Sequence, residues 1–188
     1  HEFSGDVLEV GPECHGFKPG DRVTAPFILG CGTCPDCRAG EPTICDHQHV
    51  IGFTGWGAFA ERIAIARADF NLVRLPDSVD YPVAAGMGCR VTTAFRGVVD
   101  RAGVQPGEWL AVHGCGGVGL SAIMIGAALG ARVLAVDINP QALDKARDMA
   151  DHLASGPPLV YAAIKQIVRE AEAMTFQDAM NRITRRQF

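Results

Sequence analysis

The sequence lacks several features that would assign it to a broad class. Aromatic residues make up 7% of its 188 residues, and no apolar run reaches the length of a membrane span. Lysine and arginine (17) do not outnumber aspartate and glutamate (21), which gives a net charge of -4. No basic footprint for nucleic acid or membrane lipid is therefore present. The first residues resemble no secretory signal and include no initiator Met, so we expect residues upstream to be missing.

Cysteine, by contrast, is clustered. The chain has 7 cysteines, and a short segment contains four of them at the spacing C-x2-C-x2-C-x7-C, namely Cys31, Cys34, Cys37 and Cys45. Structural zinc prefers four tetrahedral ligands, and four thiolates complete that set. Iron–sulfur proteins also use C-x2-C-x2-C runs, but with a different fourth spacing. The alternative is a set of unligated thiols or disulfides. We predict a structural zinc site and a reducing, cytoplasmic environment.

The composition and the secondary-structure signals of the sequence change twice along the chain. The first part is rich in glycine, proline and short β-type runs, whereas the middle alternates strand and helix signals, which predicts a parallel sheet. The breaker Ser155-Gly156-Pro157-Pro158 opens a helical tail. We therefore predict three regions: residues 1–78, 79–149 and 150–188. The individual elements predicted are strands Val7–Val10, Arg22–Ala25, Glu61–Ile65, Trp109–His113 and Arg132–Asp137, and helices Pro82–Val99, Val118–Leu129 and one capped by Asn139.

A glycine-rich turn lies between the predicted strand ending at His113 and the helix that follows. The motif is G-x-G-x-x-G, formed by Gly114, Gly116 and Gly119, with Gly117 and Val118 inside it. In this context the turn predicts a dinucleotide site, with the pyrophosphate at the helix N-terminus. Asp137 ends the second strand, where a carboxylate accepts ribose hydroxyls and repels a 2′-phosphate, which favours NAD. The alternative is a glycine-rich turn without a ligand.

Three further metal-ligating side chains stand apart from the cysteine cluster: His1, Glu2 and Cys89. A catalytic zinc needs about three protein ligands and one open position. Spacing alone does not select these three. A terminal histidine is usually exposed, and a lone cysteine in an alanine-rich helix is usually part of the core.

These motifs together resemble the zinc-dependent medium-chain alcohol dehydrogenases, over residues 1 to about 149. The resemblance implies a fold: an α/β protein with a truncated GroES-like β domain, a partial Rossmann NAD-binding domain and a helical tail. It also implies that His1, Glu2 and Cys89 hold the catalytic zinc and that Thr93 lies beside the nicotinamide. Zinc in that family polarises the alcohol oxygen, and hydride passes to NAD. The implied partner is a small-molecule alcohol or aldehyde, and a homo-oligomer fits the family.

The sequence departs from the family pattern at two places. The family's N-terminal segment, with a further cysteine ligand, is absent, and so are the later strands of its nucleotide-binding sheet. The tail from about residue 150 instead resembles the C-terminal end of crotonases (enoyl-CoA hydratases), which implies a fusion of two gene fragments. The alternative is an ordinary amphipathic helical hairpin.

Two functions are therefore open. The first is a zinc- and NAD-dependent alcohol dehydrogenase. The alternative is a non-catalytic zinc-stapled fragment or fusion product without NAD binding.

Overall fold

The computed structural model describes residues 1–155, and within them the chain forms two compact units, one from His1 to Cys89 and one that begins at Arg90. The predicted crotonase-like tail lies outside the described residues, apart from the first few positions. No helix in residues 1–155 is both long and apolar enough to cross a membrane.

The first unit is built from short antiparallel strands. Strands β1 (Ser4–Asp6), β2 (Arg22–Thr24) and β5 (Val73–Arg74) form a sheet in the order β1-β2-β5. Strands β3 (Ile28–Leu29) and β4 (His49–Val50) pair separately. The buried core shared by these strands and loops comprises Val23, Ala25, Leu29, Ile51 and Leu72. Two short helices, α1 (Pro35–Arg38) and α2 (Ala68–Asn71), and a 3-10 turn (Pro42–Ile44) flank the pairs.

Two of the predicted strands in this unit are wrong. The first strand ends at Asp6, before the predicted start at Val7, because the chain there bonds to the turn ahead of β2: the Val7 amide donates to the Asp21 carbonyl at 2.9 Å. Leu8 is exposed. Residues 61–65 pair with no strand in the described chain; the side chains of Ile63 and Ile65 pack against the core instead. Apolar side chains alone do not supply a pairing partner.

A helical stretch runs from Tyr81 to Arg101, as the predicted helix Pro82–Val99 requires, but it is not a uniform α-helix. It consists of α3 (Tyr81–Gly86), a π-helical segment (Met87–Val91), α4 (Thr92–Phe95) and a second π-helical segment (Arg96–Arg101). In the first widened segment the carbonyl of Gly88 accepts a hydrogen bond from the Phe27 amide at 3.0 Å. A Cβ atom on Gly88 would lie 2.7 Å from the carbonyl oxygen of Ala25, so only glycine permits this approach.

The second unit is a strand–helix–strand–helix unit. Strands β6 (Trp109–His113) and β7 (Arg132–Val136) are parallel, with Trp109 opposite Arg132, and they are connected by α5 (Gly117–Leu129). Gly130 ends α5 in the left-handed region, at φ 84°. Helix α6 (Pro140–Ser155) follows, and the side chain of Asn139 accepts from the Gln141 amide at 3.0 Å, as the predicted cap requires.

The two faces of this parallel sheet differ. On one face, Val112 and Val133 pack with α5 and with Ala146 of α6. On the other face the side chains of Trp109 and Leu134 are 70% and 53% exposed. The close packing of α5 on β6 depends on Gly126, where a Cβ atom would lie 2.5 Å from a methyl carbon of Leu110.

Candidate metal centres and dinucleotide-binding turn

The four clustered cysteines converge on one point. Their sulfur atoms all lie within 4.8 Å of one another, and the sulfurs of Cys34 and Cys45 are 3.8 Å apart. Tetrahedral zinc with Zn–S bonds of about 2.3 Å needs sulfurs roughly 3.8 Å apart, so the donor set fits the ion. The described residues contain no other group of three or more histidine, cysteine or carboxylate side chains gathered in this way. We call residues 30–45 the cysteine lobe.

Local backbone geometry builds the cysteine lobe. Cys34 precedes α1, and its sulfur accepts from the Cys37 amide at 3.4 Å, while Pro35 occupies the first turn of the helix. Gly32 and Gly40 take positive φ values of 73° and 83°, which reverse the chain on each side of α1. The three-residue steps of a helical turn thus direct neighbouring sulfurs to one point.

Hydrogen bonds prepare part of the cysteine lobe for a metal. The hydroxyl and amide of Thr33 and the amide of Cys34 donate to the sulfur of Cys31, which lowers the pKa of Cys31 to about 5. Burial raises the pKa of Cys37 to about 12. A thiolate is the form that binds zinc. The thiol of Cys31 is thus prepared as a thiolate, whereas the buried thiol of Cys37 requires the ion to lose its proton.

Asn71, at the end of α2, attaches the cysteine lobe to the core of the first unit, and sequence reasoning missed it. Its side-chain oxygen accepts from the Gly30 amide at 2.9 Å, and its nitrogen donates to the carbonyls of Gly30 (3.1 Å) and Ala66 (3.0 Å). The side chain is buried. All its polar atoms serve the backbone. A lone Asn before an apolar strand gives no signal of such a role, because Gly30 lies 41 positions away in the chain.

The candidate catalytic residues His1 and Cys89 both belong to the first unit, and Phe27 connects their surroundings. The ring centroids of His1 and Phe27 are 5.7 Å apart, and the Phe27 amide donates to the carbonyl of Gly88, next to Cys89. Phe53 lies on the other side of the histidine, at 5.5 Å between ring centroids. Gly88, next to Cys89, is therefore bonded to the residue that touches the His1 ring. In the sequence, only Gly88, the glycine before Cys89, indicates this close approach.

The three predicted catalytic-zinc ligands do not form a gathered set like the cysteine lobe. Glu2 and Cys89 each have an interaction partner in the structure, and all three side chains are partly buried. Their role as metal ligands stays a prediction.

The glycine-rich turn has the geometry that a dinucleotide pyrophosphate requires. Gly114 follows β6 with φ 92°, and its amide donates to the Val136 carbonyl of β7 at 2.7 Å. A Cβ atom on Gly119 would overlap the carbonyl oxygen of Gly114, so this position must be glycine. Around Gly116 a Cβ atom would meet nothing within 4 Å. The face at Gly116 is thus open for a phosphate to approach the N-terminus of α5.

Asp137 directly follows β7, beside this turn. One carboxylate oxygen accepts from the Cys115 amide at 2.6 Å and the other from the Asn139 amide at 2.8 Å. These hydrogen bonds lower the pKa of Asp137. The carboxylate is therefore held as an anion, with lone pairs left for ribose hydroxyls. Cys115 is buried beneath the turn, and burial raises the pKa of its thiol.

Two protein-family models match the chain, one in its first part and one in the remainder. The family model "Alcohol dehydrogenase GroES-like domain" matches residues 1–77, and "Alanine dehydrogenase/PNT, C-terminal domain" matches residues 84–180. The predicted α/β fold, a GroES-like domain followed by a Rossmann-type nucleotide-binding region, is thereby confirmed. Zinc and a nicotinamide dinucleotide are also the cofactors to which these comparisons point.

Individual relatives are alcohol dehydrogenases. An alcohol dehydrogenase of Geobacillus stearothermophilus is 35% identical over 84% of this chain and 46% of its own length. The structure of alcohol dehydrogenase TADH from Thermus sp. ATN1 is similar with a TM-score of 0.76 and 36% identity, over 79% of this chain and 44% of that one. A cobalt- and zinc-bound thermostable alcohol dehydrogenase from Pyrobaculum aerophilum gives a TM-score of 0.69 and 31% identity, over 79% of this chain and 45% of that one. The chain thus spans less than half the length of these relatives.

Proposed function

We propose that the chain belongs to the zinc-type alcohol dehydrogenases of the medium-chain dehydrogenase/reductase family, and that it supports the oxidation of an alcohol to an aldehyde or ketone with NAD as hydride acceptor. The observation that carries the proposal is the presence of two sites in one chain. One is a four-thiol cluster of zinc dimensions, and the other is a glycine turn open at the start of α5. Neither site alone would select this activity.

His1, Glu2 and Cys89 would hold the catalytic zinc. The contact of the His1 ring with Phe27, and the hydrogen bond from Phe27 to Gly88, support this assignment, because they draw the histidine and the cysteine segment toward the same loop. A zinc ion there supplies Lewis acidity toward an alcohol oxygen. Imidazole, carboxylate and thiolate are all ordinary zinc ligands, and three protein ligands leave a position for substrate.

The second unit would bind the cofactor. Backbone amides at the start of α5 would receive the pyrophosphate, over the stretch Gly114, Gly116, Gly117, Val118 and Gly119. Asp137 would accept the ribose hydroxyls and disfavour a 2′-phosphate, which selects NAD over NADP. Thr93, exposed on α4, would lie beside the nicotinamide, as it does in the family.

The proposal also covers the substrate, the assembly, the location and the tail of the chain. The substrate is a small-molecule alcohol or aldehyde, and the assembly is a homo-oligomer, with no nucleic acid or membrane partner. A cytoplasmic location is part of the proposal, because clustered thiols that bind a metal are typical of a reducing compartment. The crotonase-like origin of the tail from residue 150 remains a proposal on sequence resemblance alone.

Metal analysis and NAD titration on the same purified chain test the function. A second zinc beyond that of the cysteine lobe, saturable NAD binding and alcohol-dependent NADH formation would support it. The matched variant is Cys89→Ser, which should lose the second zinc and the NADH signal while retaining the lobe zinc and NAD binding. One zinc per chain and no NAD binding would reject the proposal in favour of a non-catalytic zinc-stapled fragment.

A further inference from the structure

A basic side chain lies against the dinucleotide turn. Arg90 begins the second unit, and its side chain reaches the first residue of α5. From the position where a Cβ atom of Gly117 would lie, the Nη1 and Nε atoms of Arg90 are 3.4 and 3.5 Å away and its Cδ atom 3.2 Å away. The edge of the guanidinium thus rests on the backbone at the helix N-terminus.

The negative charge of Asp137 next to this turn makes a nearby cation favourable for the binding of a phosphate. Asp137 is held as an anion there, and its carboxylate already occupies the Cys115 amide, one of the donors of the turn. An incoming pyrophosphate meets this negative charge and has one backbone donor fewer. A guanidinium beside Gly117 offsets the repulsion and adds donors in the planar fork that suits phosphate.

We propose that Arg90 is a further cofactor-binding residue, whose guanidinium binds the pyrophosphate of the dinucleotide at the start of α5. The proposal rests on the proposed function, because it requires that the turn bind NAD. Arg90 already has an interaction partner in the structure. A guanidinium has five N–H donors and can keep that partner while it binds a phosphate.

Gly117 is part of the same arrangement. A side chain at this position would displace the guanidinium, since its Cβ atom would lie 3.2 Å from the Cδ atom of Arg90. The glycine therefore admits both the phosphate and the cation to one point. Sequence reasoning assigned Gly117 to the turn but gave Arg90 no role, because the two residues are far apart in the chain.

Calorimetric titration of the whole chain with NAD, ADP and adenosine tests the proposal. Arg90→Gln should weaken binding of NAD and of ADP about 10- to 50-fold, the loss of a charge-assisted hydrogen bond to phosphate. Adenosine binding should stay within about twofold, because adenosine has no phosphate to contact the guanidinium. Arg90→Lys should restore part of the NAD affinity. Arg101→Gln removes the same charge from the same helical stretch and should leave all three affinities unchanged.

Each other outcome overturns the proposal in a distinct way. If Arg90→Gln binds NAD and ADP as tightly as the unaltered chain does, the role of Arg90 is rejected and the proposed function stands. Equal losses for adenosine and ADP, or a lower thermal midpoint of the ligand-free variant, would make Arg90 a structural residue. An unaltered chain that binds no NAD would reject the proposed function and the role of Arg90 with it.

Discussion

The cysteine lobe and the glycine turn offer a ligand different binding groups. In the lobe the ligand atoms are side chains, and four sulfurs are gathered by a segment that folds back on itself within a few residues. In the turn the glycines have no side chains, and the binding groups are the backbone amides that they leave exposed. The lobe gains its order from the metal. The turn gains its order from two strands and a helix that must already be packed.

This difference predicts where each site is vulnerable. A ligand substitution should matter most in the lobe, because the ion holds it together. A substitution that adds volume should matter most in the turn, because the backbone of Gly114 occupies the space that a side chain at Gly119 would need.

The largest effect is expected for Cys45→Ser. Cys45 is fully buried, and a hydroxyl is a poor zinc ligand, so the lobe zinc should be lost and the first unit destabilised by on the order of 5–10 kcal/mol. Metal content and thermal unfolding measure both. Cys14→Ser, outside the lobe, is the matched control and should retain zinc. If the lobe zinc is retained in Cys45→Ser, the ion is held by other groups and the comparison fails.

A second, smaller effect separates two glycines of the turn. Gly119→Ala should destabilise the second unit by about 3 kcal/mol and weaken NAD binding at least ~100-fold, because the added methyl overlaps the Gly114 carbonyl. Gly116→Ala should keep the stability, since its Cβ atom meets nothing within 4 Å, yet weaken NAD binding by blocking the phosphate. Unfolding curves and NAD titrations of both variants decide it. Equal stability losses would show that the turn is limited by packing alone.

Asn71→Ala tests the attachment of the lobe to its unit. Removal of the side chain leaves the backbone groups of Gly30 without their partners in a buried place, which should cost about 2–4 kcal/mol in unfolding free energy. Zinc affinity should also fall, because the lobe is then less preorganised. Chemical denaturation and competition with a chelator measure the two effects. Asn139→Ala, which removes only a helix cap, should cost about 1 kcal/mol and leave zinc affinity unchanged.

The smallest expected effect concerns pH. The pKa of Asp137 is lowered by the amides of Cys115 and Asn139, so its carboxylate contributes stability above its unfolded-state pKa. That contribution is lost as the pH falls below about 4 and through the lowered pKa. Denaturation at a series of pH values should therefore show a shallower acid loss in Asp137→Asn than in the unaltered chain. Parallel curves for the two proteins would mean that Asp137 titrates alike in the folded and unfolded chain.

The elements that the sequence determined are those whose information is local. The four ligand positions of the lobe lie within one turn-rich segment, and the strand–turn–helix around Gly114 to Gly119 is contiguous. Local turn chemistry and hydrophobic runs are sufficient there, because the interacting groups are a few residues apart. The helix ends at Gly130 and Asn139 follow for the same reason.

Tertiary structure decided the rest. The π-helical segment at Gly88 is bonded to the Phe27 amide, the lobe is bonded to Asn71, and the guanidinium of Arg90 reaches Gly117 only after the chain has folded. The strands predicted at residues 7–10 and 61–65 failed because strand formation needs a paired neighbour as well as apolar side chains. Each of these features joins residues distant in sequence, and the energy that selects them comes from burial and hydrogen bonds that no local segment contains.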